Sequence, residues 1–232
     1  MTALAPSNAR ITANISDPVL EGRFGRGWRI GLAVSGAFTL MMIGCFVWLV
    51  ARGVGVWGVN TTEVWGFAIA NYVWWIGIGN AGTLISALLL ITRQHWRASI
   101  SRFAEAMTLF AAAIAGLFPI FHLGRPWFFY WLVPYPSTMD LLPQWRSPLV
   151  WDFFAIASYL IFSLLFWYTG ALPDFATMRD RARTRFAQVA YGIAALGWRS
   201  SARHWKIYQS YYRAMAALGV PLVVSVQSVV GM

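Results

Sequence analysis

The most chemically active side chains of this sequence lie around residues 118–140, FPIFHLGRPWFFYWLVPYPSTMD. His122 comes at the end of a long apolar run, and Arg125 follows it almost directly. Asp152 lies just inside the next apolar run. Histidine and a carboxylate are the usual pair of groups that take up protons near neutral pH. The pattern therefore predicts a site that accepts protons.

Each of these side chains also has a purely structural interpretation. His122 could bond the free carbonyls of a helix end, and Asp152 could be an acid that a helix N-terminus favours. The aromatic run 127–131 could be an interfacial belt. Their occurrence with Arg125 at one depth favours a site, because ionisable groups at membrane depth usually mark one.

The aromatic residues suggest what such a site would bind. An apolar, aromatic mouth with a few polar groups suits a small lipophilic ring. Trp127, Tyr130 and Tyr135 are the candidate members of this mouth.

The elements that position these residues are predicted to be membrane-spanning helices. Only 11% of the 232 residues are charged and 59% are hydrophobic, whereas a soluble domain carries about 25% charged residues. A spanning helix needs about 20 mostly apolar residues. Five stretches qualify: 30–51, 64–91, 103–123, 148–171 and 211–232. The segment 186–197 is apolar but too short to span, which predicts a cytoplasmic interfacial helix.

The basic residues predict the orientation. Fifteen of the 18 fall on one side of the five spans, and Arg52, Arg125 and Arg146 fall on the other. The side rich in basic residues is cytoplasmic. Residues 1–29 then form a cytoplasmic arm, and His122 and Asp152 lie at the same outer depth on consecutive helices. The net charge of +10 is thus a topology signal and does not indicate nucleic-acid binding.

The sequence predicts no metal site, iron–sulfur cluster or haem ligated by this chain. Cys45 is the single cysteine, and one thiol cannot hold a cluster or a structural zinc. Of the three histidines, His95 and His204 lie in arginine-rich cytoplasmic segments. Glu105, in the first turn of its predicted span, is either a helix-dipole acid or a proton entry group.

Four stretches carry a family resemblance: WWIGIGNAGTLISALLL, RFAEAMTLFAAAIAGLFPIFHLGRPWFFYWLVPYP, SPLVWDFFAIASYLIFSLLFWY and GALPDFATMRDRA. They resemble the quinol-binding membrane subunit of bacterial alternative complex III, in the polysulfide-reductase (NrfD-like) membrane-subunit family. The resemblance implies that spans two to five, residues 64–232, form a four-helix bundle. It also implies that the subunit oxidises menaquinol or ubiquinol near the periplasmic face of the bacterial inner membrane, with His122 and Asp152 as the histidine and aspartate of the quinol site and Arg125 in the same motif.

The resemblance also implies partners, since such a subunit is not active alone. Electrons would pass to a periplasmic iron–sulfur subunit and then to multi-haem cytochrome c subunits, beside a paralogous NrfD-like membrane subunit. Family members are about twice as long, so this chain would be the N-terminal half, with a second bundle after Met232.

Two positions depart from the family pattern, which has histidine where this chain has Asn80 and Gln227. The proton path that the resemblance implies would here run through Glu105, Asn80 and Gln227, but amides do not carry protons easily. These departures favour the alternative of a non-catalytic anchor or paralogous subunit. A transporter or ion channel is a third, although it would need more charges buried at mid-membrane.

The orientation can be tested by cysteine labelling. In a Cys45→Ser background, we expect Ser137→Cys to react with an impermeant thiol reagent on intact cells, because it lies in the predicted outer loop. Thr177→Cys should react only after the cells are lysed. Labelling of Thr177→Cys alone on intact cells would reverse the orientation.

Overall fold

The computed structural model describes residues 7–22, 24–59, 66–133, 145–146 and 148–231. Within these ranges the chain is helical, without a strand, so the predicted all-α class is confirmed. Two 3₁₀ segments, Val54–Trp57 and Pro126–Leu132, accompany seven α-helices. The helices are α1 (Asn8–Leu20), α2 (Arg26–Arg52), α3 (Gly66–Ile91), α4 (Arg97–His122), α5 (Pro148–Arg181), α6 (Arg185–Ala194) and α7 (Ala202–Val230).

Five of these helices, α2 to α5 and α7, are long and apolar enough to cross a membrane. The chain is a multi-pass membrane protein, as the hydropathy pattern predicts. Some of the helices extend well past the apolar runs. α5 has 34 residues, which corresponds to about 50 Å against a hydrocarbon core of about 30 Å. Hydropathy marks the part of a helix that lipid surrounds, so it does not reveal the charged turns beyond.

The chain divides into two compact units. One comprises Met1–Leu40 and Gly170–Tyr208, and the other, here called the bundle unit, comprises Met41–Thr169 and Gln209–Met232. In the first unit, Arg181 donates to Asp17 of α1 across 2.6 Å, and Arg183 pairs with Glu21. The predicted arm 1–29 therefore contains a folded helix, α1, together with the first residues of α2.

The short helix α6 also belongs to the first unit. It has ten residues and an exposed apolar stripe formed by Phe186, Val189 and Ile193. Residues three and four apart lie on one face of a helix. This stripe fits the predicted interfacial helix, whose place at the cytoplasmic surface stays a prediction.

Four helices share the core of the bundle unit. Each contributes two residues to one buried cluster: Tyr72 and Ile76 from α3, Ala112 and Ala115 from α4, Ile156 and Tyr159 from α5, and Val223 and Val226 from α7. Because consecutive helices run in opposite directions, Tyr72, Pro119 and Asp152 lie at one level near the end of α4 at His122. We call this level the His122 end of the bundle.

Glycines on α3 allow α4 and α5 to approach closely. A Cβ atom on Gly82 would lie 2.6 Å from the backbone oxygen of Ala104, and one on Gly79 would lie 3.2 Å from the Tyr159 ring. A Cβ on Gly77 would have no neighbour within 4 Å. The small residues of this span therefore serve close helix packing at Gly79 and Gly82 but not at Gly77.

This contrast predicts a difference between two alanine variants. Gly82→Ala should destabilise the bundle by about 1–3 kcal/mol, the usual cost of overpacking, because backbone must move away from the new methyl group. Gly77→Ala, on the same helix, should leave the melting temperature in detergent unchanged. Equal melting temperatures for the two variants would contradict the close approach of α3 and α4.

Candidate functional site

A small cleft lies at the His122 end of the bundle, between α3, α4 and α5. Seven side chains line it: Ala68, Ile69, Tyr72, Phe118, Pro119, His122 and Asp152. The structure therefore brings His122 and Asp152, the two predicted proton-accepting residues, to one place. Among the lining residues that the structure describes, three have ionisable side chains: His122, Asp152 and Tyr72.

The end of α4 places His122 beside this cleft. The helix stops because Gly124 adopts a left-handed conformation (φ 69°) and donates its N–H to the Phe121 oxygen across 2.9 Å. A side chain on Gly124 would also meet Val54 at 3.3 Å. The His122 ring is half-buried and lies nearly parallel to the Trp57 ring, with 6.3 Å between their centroids. The predicted helix end at this glycine is confirmed.

Asp152 reaches the cleft from the second turn of α5. It is buried, with 7% of its surface exposed, and its carboxyl group accepts no hydrogen bond from any described residue. The first turn of α5 contains no acid, so the helix-dipole interpretation of Asp152 loses its basis, because that effect fades beyond the first turn. Because Asp152 lines the cleft, a ligand there would be in a position to donate a hydrogen bond to its carboxyl group.

Tyr72 is a member of the site that the sequence analysis missed. It is 2% exposed, and its hydroxyl donates to the backbone oxygen of Asp152 across 3.4 Å. This contact ties α3 to α5 beside the carboxyl group. The sequence did offer a signal for Tyr72, since it is a tyrosine inside an apolar span. A buried phenol usually finds a hydrogen-bond partner, so such a tyrosine marks a polar contact between helices.

The cleft is narrow. Its volume is about 10 Å³, which is room for about one water molecule. An aromatic ring can therefore reach His122 and Asp152 only if some lining side chains move aside. Pro119 and Phe118, which belong to the last turns of α4, form part of this lining.

The other predicted site residues do not line the cleft. Arg125, Trp127 and Tyr130 are exposed, and the last two lie in the 3₁₀ segment Pro126–Leu132. This exposure fits the interfacial-belt interpretation of the aromatic run. Tyr135 lies outside the described residues. Roles for these four residues in ligand binding stay predictions.

Glu105 lies in a second polar cluster, toward the opposite end of the bundle. It accepts a hydrogen bond from Ser86 of α3 across 2.6 Å and another from the hydroxyl of Tyr212 of α7. The sequence analysis placed Glu105 in the first turn of its helix, and this was wrong. α4 begins at Arg97 and has no acid in its first turn. The first residues of this helix are polar, so the apolar run that defined the predicted span begins later than the helix does. Glu105 is a buried carboxyl group, 2% exposed, so the helix-dipole interpretation fails.

The middle of the bundle holds the remaining polar groups. Asn80 donates to the Gln227 side-chain oxygen across 2.7 Å, and the hydroxyls of Thr83 and Tyr159 lie 2.9 Å apart. Between these groups and the cleft lies an apolar level that includes Ile76. The structure therefore brings Asn80 and Gln227 together, but it connects neither to Glu105 nor to the cleft by hydrogen bonds among the described residues.

Within the described ranges, no three His, Cys, Asp or Glu side chains are close enough to hold a metal ion. His122 and Asp152, which line the same cleft, carry the two kinds of side chain that most often exchange protons near neutral pH.

Two comparisons with known proteins place the chain among membrane subunits. A family model described as polysulphide reductase, NrfD, matches residues 55–232. A curated relative from Halobacterium salinarum, described as a putative dimethyl sulfoxide reductase membrane subunit, is 28% identical over 167 residues. This match covers 71% of the chain but 35% of the relative, so the chain matches about a third of that protein's length.

The Glu105 cluster generates a test of stability. Tyr212→Phe removes a buried donor to a carboxyl group, and such a loss costs about 1–3 kcal/mol. We expect a lower melting temperature for this variant in detergent. Tyr211→Phe is the matched control, since Tyr211 is its exposed neighbour. An unchanged melting temperature for Tyr212→Phe would show that this hydroxyl does not support the bundle.

Proposed function

Because the chain belongs to the polysulphide reductase, NrfD family, we propose that it is the membrane subunit of a respiratory oxidoreductase complex and oxidises quinol at the His122 end of its bundle. The proposed complex is of the alternative complex III type, which the resemblance of the His122 motif supports. The subunit would lie in a bacterial inner membrane with its N-terminus in the cytoplasm, so that the site faces the periplasm.

The reaction requires acceptors for both protons and electrons. Oxidation of a quinol to a quinone releases two protons and two electrons. His122 and Asp152 accept the protons, because imidazole and carboxylate are the bases that line the cleft. The electrons pass to an iron–sulfur partner subunit docked near this end, and from there to cytochrome c subunits. The electrons need a partner subunit as acceptor, because this stretch of chain has one cysteine and three histidines, too few ligands to hold an iron–sulfur cluster.

The observation that carries the proposal is the Asp152 carboxyl group. It is buried, lines the cleft and receives no hydrogen bond from the described residues. A quinol hydroxyl donating to it would satisfy this carboxyl group and deliver a proton in the same contact. Tyr72 holds the backbone at Asp152, which fixes the direction of the acceptor.

Proton release toward the nearer surface follows from the same geometry. The apolar level around Ile76 and the paired amides of Asn80 and Gln227 separate the cleft from Glu105. Amide groups do not exchange protons readily at neutral pH. The proposed route therefore runs from the cleft to the periplasm, and translocation across the whole bundle is not part of the proposal.

A non-catalytic, paralogous subunit of the same type of complex is the second candidate. The Asn80–Gln227 pair supports it, since the resemblance predicts histidine at both positions. Such a subunit would need no proton acceptor at its periplasmic end, and the presence of both His122 and Asp152 in one cleft favours the catalytic candidate.

Substitution of the two bases tests the proposal. Asp152→Asn and His122→Gln keep the approximate shape of each side chain and remove its basic function. Loss of one positioned base costs about 10²–10⁴-fold in rate. We expect each variant to lose most quinol oxidation in purified complexes that retain their haems and iron–sulfur clusters.

Asp180→Asn is the control, because Asp180 lies on the same helix, α5, and is exposed. It should turn over quinol at the wild-type rate. If Asp152→Asn and His122→Gln in assembled complexes also stayed within about twofold of wild type, against the losses expected for a base, the assignment would be wrong and the non-catalytic candidate would gain.

A further inference from the structure

A second, larger space lies beside the cleft. It is an apolar crevice of about 700 Å³ between the second half of α2 and the start of α3, within the size range of pockets that hold small molecules. The cleft itself measures about 10 Å³. The crevice therefore offers the volume that a bulky ligand needs, and it lies beside the cleft that His122 and Asp152 line.

The crevice and the cleft are neighbours that share two wall residues. Ala68 and Phe118 line both spaces. Trp57, a further wall of the crevice, is the residue whose ring lies parallel to the His122 ring. A molecule in the crevice is therefore one layer of side chains away from His122 and Asp152, and a ring at its end reaches them when the Phe118 side chain moves aside.

The shape of the crevice follows from small residues on α2. Near the C-terminal end of this helix, the Phe46 and Phe121 rings stack with 4.0 Å between centroids, and Leu49 is buried, which holds α2 against the bundle. Gly44 and Cys45 lie beside this contact, and a Cβ on Gly44 would have no neighbour within 4 Å. The packing is therefore tight at Phe46 and open at Gly44.

The lining of the crevice is suited to a hydrocarbon. Apart from the Asn71 amide and the Cys45 thiol, its side chains are apolar or aromatic. The Asn71 amide already donates to the Phe67 backbone oxygen across 3.0 Å. Inside a membrane such a surface attracts a hydrocarbon chain by van der Waals packing and offers little to a polar ligand.

We propose that this crevice seats the prenyl tail of the quinol whose ring reacts at His122 and Asp152, an inference that rests on the proposed function. The tail lies between α2 and α3, and the ring projects past Ala68 and Phe118 into the cleft. The site therefore selects quinols with a hydrophobic tail, and α2, which is outside the four-helix bundle, determines this selection together with α3.

Filling the crevice tests the tail seat. Gly44→Leu places a side chain in the open space, and Gly31→Leu, on the same helix with equally open surroundings, is the matched control. Both variants are assayed in the purified complex with two quinols that share a ring, one with a long prenyl tail and one without a tail. Gly44→Leu should raise the KM for the long-tailed quinol by about tenfold, because the tail loses apolar contacts. The KM for the tail-less quinol should change by less than about twofold, and Gly31→Leu should change neither.

Cys45 provides a second measurement that does not depend on turnover. It is exposed and lines the crevice. The long-tailed quinone should protect Cys45 in the purified complex from alkylation by N-ethylmaleimide, whereas the tail-less quinone should not.

Four outcomes would overturn the inference. Equal effects of Gly44→Leu on both quinols, or no effect on either, would exclude a tail seat. Alkylation of Cys45 at the same rate with and without long-tailed quinone would indicate that a lipid acyl chain fills the crevice. If Cys45 never reacted with N-ethylmaleimide and the Gly44→Leu complex assembled poorly, a helix of a partner subunit would fill the crevice. A wild-type complex that oxidises neither quinol would instead remove the proposed function, and the tail seat with it.

Discussion

Lipid tails offer no hydrogen-bond partners, so the polar side chains that the bundle buries depend on partners within the protein. Glu105 of α4 meets Ser86 of α3 and Tyr212 of α7, and Thr83 of α3 meets Tyr159 of α5. These contacts join all four helices. Because apolar packing is non-directional, the hydrogen bonds are what fix which faces of the helices meet.

Against this background, Asp152 stands out. The bundle satisfies Glu105 with donors from two other helices, yet Asp152, also buried, has no donor among the described residues. The two carboxyl groups thus have different surroundings. Glu105 has partners on two other helices, whereas Asp152 borders a cleft that lies beside an apolar crevice.

The sequence predicted the fold class and the five membrane helices because an apolar run long enough to cross a bilayer can only be helical. It also predicted that His122 and Asp152 lie near each other, since both are at the same end of consecutive helices, and both line one cleft in the structure. It did not predict Tyr72 or the burial of Glu105. Hydropathy does not say which face of a helix a tyrosine occupies. The first residues of α4 are polar, so the apolar run begins later than the helix and wrongly predicts that Glu105 lies in its first turn. The crevice depends on how α2 packs, which no local pattern encodes.

The close contact of Gly82 with the Ala104 backbone has a consequence for how the protein is made. α3 and α4 are joined by only residues 92–96, so α4 leaves the ribosome shortly after α3. On an isolated α4, Glu105 would have only Arg102 of the same helix as a partner, at 3.5 Å, and the rest of the carboxyl group would face lipid, where it is costly. With α3 already beside it, Ser86 can meet this group at once. The two helices are therefore suited to enter the membrane as a hairpin, and Tyr212 completes the contact when α7 is synthesised.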